Sequence, residues 1–308
     1  VELRSEELVT LSTAIRRNVT HWFMNLIEEA QEEDLSEDER ANIREIAWKY
    51  NRLIKVKQSL ITKRERIHTQ SRPYWLQAQH KNDFLVFKPY LEQIFLLAKR
   101  YANAIDSSKD AYEVLLEDYE RDFTITEITA LFDEVKPVIL GLLRDMPEEE
   151  SFDITVDEPT GRSKNKFNHY FAERIGYDFS KGRIDVSERS FEAAYGRIAI
   201  RRSANWFESL FVILHEAGHS FYVHGLPMDN YGTPLGQIRS QAVSESQSLI
   251  WQNYVGKTTS FWDYFFPRLK EHYKLPFNED DFVKKLFDVR PGLIRTKADE
   301  LTYPLHIV

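Results

Sequence analysis

Residues 211–225 read FVILHEAGHSFYVHG, and the five residues His-Glu-Ala-Gly-His at 215–219 say more about this chain than any other segment. Two histidines four residues apart on an α-helix lie on the same side, about 40° apart around the axis. Their imidazoles can therefore share one metal ion. Glu216 is displaced by about 100°, which lets it reach a water molecule at that metal without being a ligand.

The residues around this HExxH pattern, the zincin signature, predict a helix. Asn205 is a candidate cap with Glu208 as its reciprocal partner, and Gly225 and Pro227 supply a stop. Apolar residues recur between them at helical spacing: Trp206, Phe207, Leu210, Phe211 and Leu214. We expect a largely buried helix of about five turns. The alternative is that His215 and His219 are ordinary packed histidines.

Two histidines leave a catalytic zinc one protein ligand short, because such sites use three and keep a fourth position for water. A third histidine at the metzincin spacing is absent. His224 follows His219 by five residues instead of six, and it lies about 180° around the helix from His215. We interpret His224 as a helix-end residue.

A glutamate on a following helix is the other source of a third ligand. Residues 237–256, QIRSQAVSESQSLIWQNYVG, predict that helix, with Glu245 and Gln252 on one side of it. A lone mid-helix glutamate is usually solvated. Downstream of HExxH, however, Glu245 would complete a His2Glu zinc site with His215 and His219.

These residues resemble the carboxypeptidase Taq family of thermostable metallocarboxypeptidases. The resemblance rests on HEAGH, on YGTPLG at 231–236 and on SESQSLIWQNYVG at 244–256. It extends to GYDFSKGRIDVS at 176–187 and VRPGLIRTKADELTYPLHI at 289–307. It implies that Glu245 is the third metal ligand, that the metal is Zn²⁺ with Co²⁺ also accepted, and that the protein is a homodimer acting on peptides.

The chain departs from the family pattern at three places that resemblance puts around the substrate cleft. Arg189–Phe191 stand where the family has His-Pro-Phe, and only Arg197 is kept from a DxRxT motif at 195–199. Ser244 replaces the histidine before the third ligand. We therefore expect intact metal binding, whereas the resemblance does not fix substrate preference or turnover.

Most of the chain predicts helix, so the expected fold is mainly α, a multi-helix zincin-like metallopeptidase fold with a small antiparallel β-sheet beside the active-site helix. The runs Gly182–Val186 and Arg197–Arg201 alternate as strands do. A peptide could add to the edge of that sheet. We expect a helical region at 1–175, the sheet at 176–202, zinc-binding helices at 203–256 and further helices at 257–308.

Family members are considerably longer single compact proteins. This chain has 308 residues, begins at Val1 and ends two residues after His306, inside an expected helix. By resemblance, we expect residues 1–308 to be a single metallopeptidase catalytic domain, a fragment that lacks its carboxyl-terminal part.

Composition fits an enzyme of the cytoplasm. The 42% of hydrophobic residues can bury a large core, and the absence of cysteine leaves no disulfide framework and no thiolate metal site. No secretory signal or transmembrane run is visible. The net charge of −8 argues against a nucleic-acid partner. We expect neither nucleic acid nor a membrane as a partner.

The chemistry that follows is metal-assisted hydrolysis of a peptide bond, with Glu216 as the general base toward the attacking water. A carboxypeptidase must also recognise a free carboxylate, and arginine does so with its bidentate fork. Arg197 is the first candidate by resemblance and Arg295 the second; either could instead form a structural ion pair. Asp299 and Glu300 are candidates for orienting ligands or for the helix surface.

Three hypotheses remain open from the sequence. The first is a zinc carboxypeptidase that removes carboxyl-terminal residues. The second is an endopeptidase or oligopeptidase with the same HExxH…E metal chemistry and no carboxylate clamp. The third is a catalytically impaired member that keeps a metal or peptide site.

Overall fold

The computed structural model describes residues 21–146, 161–187, 191–193, 196–201, 205–289, 298–299 and 301–306. Helices dominate these residues, which confirms the predicted mainly α fold. In chain order the helices are α1 (His21–Glu32), α2 (Glu37–Lys55), α3 (Gln58–Lys81), α4 (Lys88–Ile105), α5 (Ala111–Leu116), α6 (Ile125–Asp145), α7 (Gly161–Arg174), α8 (Trp206–His224), α9 (Gln241–Leu249), α10 (Thr259–Tyr273) and α11 (Glu279–Leu286).

Shorter helical turns occur at Phe84–Val86, Met228–Asn230, Pro234–Gly236 and Tyr303–His306. A π-helical segment, Ile250–Val255, continues directly from α9. The predicted helix over 237–256 is therefore present, but it begins at Gln241 and changes its winding after Leu249.

Three strands form one small sheet, β1 (Ile184–Ser187), β2 (Phe191–Ala193) and β3 (Arg197–Arg201), in the order β1-β3-β2. The predicted antiparallel pairing of the first and last runs is wrong: β1 and β3 are parallel, with Ile184 opposite Ile198. The physical reason is the third strand. β2 lies between the two runs in the chain and pairs antiparallel with β3, so β3 again points along β1.

The chain divides into two compact units. The first comprises Val1–Phe123 and Pro227–Arg239. Within it, the guanidinium of Arg52 on α2 is buried and lies 2.6 Å from Glu117 and 2.7 Å from Asp118, just beyond α5. The returning segment 227–239 is held on α2, where Asn42 accepts a hydrogen bond of 3.0 Å from the backbone N–H of Leu235.

The second unit comprises Thr124–Leu226 and Ser240–Val308. Its hydrophobic core surrounds α8, and Leu210, Ile213 and Leu214 are fully buried there. Aromatic side chains from α7, α10 and α11 complete that core: Phe167, Phe171, Trp262, Phe265, Phe266 and Phe282. The predicted buried helix of about five turns is confirmed. The prediction that residues 1–308 form a single catalytic domain stays a prediction.

Among the described residues, no helix combines the length and the apolar character that a membrane crossing requires.

Candidate metal centre

Helix α8 begins where the sequence predicts. The Asn205 side chain accepts a hydrogen bond of 2.8 Å from the backbone N–H of Glu208, and Glu208 accepts one of 3.2 Å from the backbone N–H of Asn205. This reciprocal capping box fixes the first turn. The helix runs to His224, which is its last residue, with Gly225 as the cap.

His215 and His219 lie on one side of α8, with ring centroids 4.9 Å apart and ring planes nearly perpendicular. The carboxylate of Glu245 on α9 faces both rings. Its Oε2 atom lies 3.8 Å from Nε2 of His215 and 3.5 Å from Nε2 of His219. One ligand atom from each of the three side chains lies within 4.8 Å of the other two.

These separations fit a zinc ion. Tetrahedral coordination with metal–ligand distances of 2.0–2.2 Å places neighbouring ligand atoms about 3.3–3.6 Å apart. The observed 3.5 Å lies within this range, and the observed 3.8 Å needs only a small contraction. Two imidazole nitrogens and one carboxylate are also the ligand set of catalytic His2Glu zinc sites.

The side chains of the group differ in their exposure to solvent. The Glu245 side chain is 39% exposed, whereas those of His215 and His219 are 24% and 16% exposed. Glu216, next to the first histidine, is only 6% exposed. The histidine side of the group is thus less exposed than the carboxylate side.

A hydrogen bond at Nδ1 orients the ring of each histidine. Nδ1 of His215 lies 2.7 Å from Oε1 of Gln252, and Nδ1 of His219 lies 2.9 Å from Oγ of Ser244. Both Nε2 atoms therefore remain on the Glu245 side. Burial lowers the pKa of His215, against the opposing charge of Glu245, and so favours the neutral imidazole that binds metals.

Gly218 lets the two ligand-bearing helices approach. A methyl group on its Cα would lie 2.6 Å from the carbonyl oxygen of Gln247 and 2.6 Å from Cα of Ser248, both backbone atoms of α9. No side chain larger than hydrogen fits there without moving one helix. The position of Glu245 relative to the histidines thus depends on this contact.

The sheet is fastened to α8 at Gly196. Its carbonyl oxygen accepts hydrogen bonds from the buried hydroxyls of Tyr177, at 2.6 Å, and Ser220, at 3.2 Å. Gly196 has φ = +75°, and a methyl group there would lie 2.5 Å from both His224 and Ser220. Glycine is therefore needed for its conformation and for the close contact.

The structure brings together the predicted His215, His219 and Glu245, and the buried Glu216 follows His215 directly in the chain. Arg197 is the exposed first residue of β3, directly after Gly196. Its substrate role stays a prediction. Arg295 and Glu300 lie outside the described residues. Asp299 accepts hydrogen bonds from the backbone N–H groups of Leu301 and Thr302.

Sequence reasoning missed the roles of three residues. Ser244 was expected near the substrate cleft, and its hydroxyl instead contacts His219. The sequence contained a signal for the role of Gln252, because this residue lies seven positions after Glu245 and hence on the same helical face. The close approach at Gly218 had none, because it depends on where α9 packs.

Comparisons with known proteins identify the family of this chain. A model of the carboxypeptidase Taq (M32) metallopeptidase family matches residues 1–308. Thermostable carboxypeptidase 1 of Thermus thermophilus is 30% identical to the chain, with all of this chain and 65% of that protein aligned. Carboxypeptidase 1 of Bacillus subtilis is 31% identical, with all of this chain and 64% of that protein aligned.

The fold is shared with solved structures as well. The structure of Trypanosoma cruzi metallocarboxypeptidase 1 superimposes with a TM-score of 0.87 and 26% identity, over 99% of this chain and 64% of that one. The chain thus spans slightly less than two thirds of the length of these relatives. On the family match over its whole length, this chain belongs to the carboxypeptidase Taq (M32) family of metallopeptidases.

Proposed function

We propose that the protein is a zinc-dependent metallocarboxypeptidase that hydrolyses the carboxyl-terminal peptide bond of peptides. One observation carries the proposal: Nε2 of His215, Nε2 of His219 and Oε2 of Glu245 converge at distances suited to one ion. Membership of a metallopeptidase family supports the same reading.

Zn²⁺ is the proposed ion, with Co²⁺ as an accepted substitute, because His2Glu sets with an open position suit metals that take four ligands. A bound zinc ion supplies Lewis acidity toward a peptide carbonyl and toward water. His215, His219 and Glu245 would hold it, and the hydrogen bonds at Nδ1 of the two histidines would keep both imidazoles oriented.

Glu216 is the proposed general base. It follows His215 directly on α8, and it is buried, so its carboxylate is largely shielded from bulk water. It accepts that proton from the attacking water and returns it to the leaving amine as the peptide bond breaks. The carboxylate thus ends the cycle in its starting state.

Arg197 and Arg295 are the proposed partners of the substrate's terminal carboxylate, with Arg197 first. Arg197 is exposed at the start of β3, beside the glycine that anchors this strand to α8. A guanidinium there can form paired hydrogen bonds with a carboxylate.

Two other functions compete with this one. A zinc endopeptidase or oligopeptidase would use the same metal centre and no carboxylate clamp, and an impaired member would bind metal or peptide without turnover. The replaced residues Arg189, Ser190 and Ser244 are the observation that favours them.

One pair of peptides separates the first two functions. Release of the last residue is measured from a peptide with a free carboxyl terminus and from its carboxyl-terminal amide. A carboxypeptidase cleaves the free peptide and leaves the amide largely intact. Equal cleavage of both would overturn the carboxypeptidase assignment, and cleavage of neither by zinc-loaded protein would favour the impaired member.

Glu216→Gln tests the catalytic assignment. We expect hydrolysis to fall by about 10²- to 10⁴-fold, because a general base contributes on that scale. Zinc affinity should stay unchanged, since Glu216 is no ligand. Glu271→Gln is the matched control, because Glu271 is exposed and pairs only weakly with Arg268. Unchanged hydrolysis in Glu216→Gln would refute its role.

The remaining parts of the proposal rest on the family resemblance, on composition and on the net charge of −8. They are a homodimer, a cytoplasmic location, and peptides as partners in place of nucleic acid or a membrane surface. Sedimentation of the purified protein tests the dimer, and cell fractionation tests the location.

A further inference from the structure

We infer that Gln252 and Ser244 are positioning residues that prepare His215 and His219 for the metal, and that Gln252 contributes more than Ser244. This inference rests on the proposed metal site. Its evidence is separate from the evidence for the metal site. It comes from the Nδ1 atoms of the two rings, which face away from Glu245.

The Gln252 contact determines which nitrogen of His215 carries hydrogen. An amide oxygen only accepts hydrogen bonds, so Oε1 at 2.7 Å requires a hydrogen on Nδ1. In the neutral ring, Nε2 then bears the free electron pair. Nε2 is the atom that faces Glu245. Gln252 therefore selects the tautomer that binds a metal through Nε2.

The Ser244 contact is less selective. A hydroxyl can donate or accept, so Oγ at 2.9 Å is compatible with either tautomer of His219. Ser244 is almost completely buried, and its short side chain holds the ring in place. Its hydroxyl orients His219 without determining where the hydrogen resides.

The packing of α8 against α9 accounts for the longer side chain of Gln252 compared with Ser244. The two histidines are four residues apart, which spans about 6 Å of helix, whereas their partners are eight residues apart and span about 12 Å. Ser244 lies on α9 itself. Gln252 lies in the π-helical segment beyond it and reaches back with a longer side chain. Helix segments of this type often occur at functional sites.

Gln252 and Ser244 are both uncharged, so each variant should lose zinc affinity on the scale of one hydrogen bond. Loss of an outer hydrogen bond to a ligand histidine lowers metal affinity by about 10- to 100-fold. We expect Gln252→Leu to weaken zinc binding within that range, and Ser244→Ala to weaken it by less than 10-fold. Gln252→Glu should bind zinc at least as tightly as wild type, because a carboxylate oxygen also accepts from Nδ1 and increases the basicity of the ring.

The test is zinc affinity of the full chain, measured by competition with a chromophoric chelator. Gln241→Leu is the control for Gln252→Leu, because Gln241 is exposed at the start of α9. Ser246→Ala is the control for Ser244→Ala, because the Ser246 hydroxyl is exposed and donates to the Val243 carbonyl. Circular dichroism of each variant reports whether it is folded.

The expected result is weaker binding in Gln252→Leu, restored by Gln252→Glu, with both controls unchanged. Wild-type affinity in folded Gln252→Leu would overturn the inference and leave the metal site standing. Weak binding in both Gln252→Leu and Gln252→Glu would also overturn it, because the effect would then follow packing instead of the acceptor. Absence of zinc binding by the wild type would instead refute the proposed function.

Discussion

A methyl group on Gly218 should separate the two helices that carry the three ligand atoms. In Gly218→Ala, the new Cβ would lie 2.6 Å from two backbone atoms of α9, at Gln247 and Ser248. Ordinary contact begins at 3.4 Å. Because neither obstacle is a flexible side chain, the helices must move apart by about 0.8 Å.

The consequence for the metal centre follows from the ligand distances. Oε2 of Glu245 is already 3.5 and 3.8 Å from the two Nε2 atoms, at and slightly beyond the upper end of the about 3.3–3.6 Å that zinc requires. A further separation of about 0.8 Å would place the carboxylate outside bonding distance of an ion held by both histidines. We expect zinc affinity to fall by at least about tenfold.

The change in folding stability combines two opposing effects. Overpacking costs about 1–3 kcal/mol, and the helix propensity of alanine returns about 1 kcal/mol of that. We therefore expect Gly218→Ala to lose at most about 2 kcal/mol in urea unfolding of the metal-free protein.

Gly141→Ala on α6 is the control for this variant. Nothing lies within 4 Å of a methyl group at that position, so it should gain about 0.5–1 kcal/mol and keep its zinc affinity. Wild-type affinity together with wild-type stability in Gly218→Ala would refute the reasoning.

Two further predictions concern charged groups away from the metal centre. Arg52→Met should lower the free energy of unfolding by about 2 kcal/mol, because it removes the Arg52 cation from Asp118 and Glu117, of which Glu117 keeps Lys109, and the donor to the Val114 carbonyl. Arg268→Met, in an exposed pair, is the control and should change little. Burial, a hydrogen bond with Asp263 and nearby carboxylates raise the pKa of Glu279 above its usual 4.5. The folded state favours the protonated form of Glu279. The resulting contribution to folding stability is therefore fully present below pH 4.5 and is lost as the pH rises through the raised pKa. Glu279→Gln should thus gain stability over wild type at pH 7 and not at pH 4 in urea titrations, and a difference independent of pH would contradict this.

The local features of α8 could be predicted from the sequence because they depend on nearby residues. The capping box joins Asn205 to Glu208 three residues later, and both hydrogen bonds form. The spacing of His215 and His219 places both rings on one side of the helix, as the four-residue interval requires. Glu245 was predicted to be the third metal ligand from its position on a second helix and from the family resemblance.

The pairing of the strands could not be predicted in the same way. Alternation in Gly182–Val186 and Arg197–Arg201 indicates strands but carries no direction. The direction of β3 depends on β2, a three-residue strand with too little pattern to recognise. The parallel pairing of β1 with β3 was therefore invisible to periodicity.

By itself the sequence determined the metal-binding helix, its start and the pair of histidines that share its side, because all three depend on intervals of three or four residues. Only the tertiary structure decided how close Glu245 comes to those histidines and which groups hold their Nδ1 atoms. Those distances arise where α8 meets α9 at Gly218. The contact is made between residues about 30 apart in the chain, so packing and not local periodicity sets it.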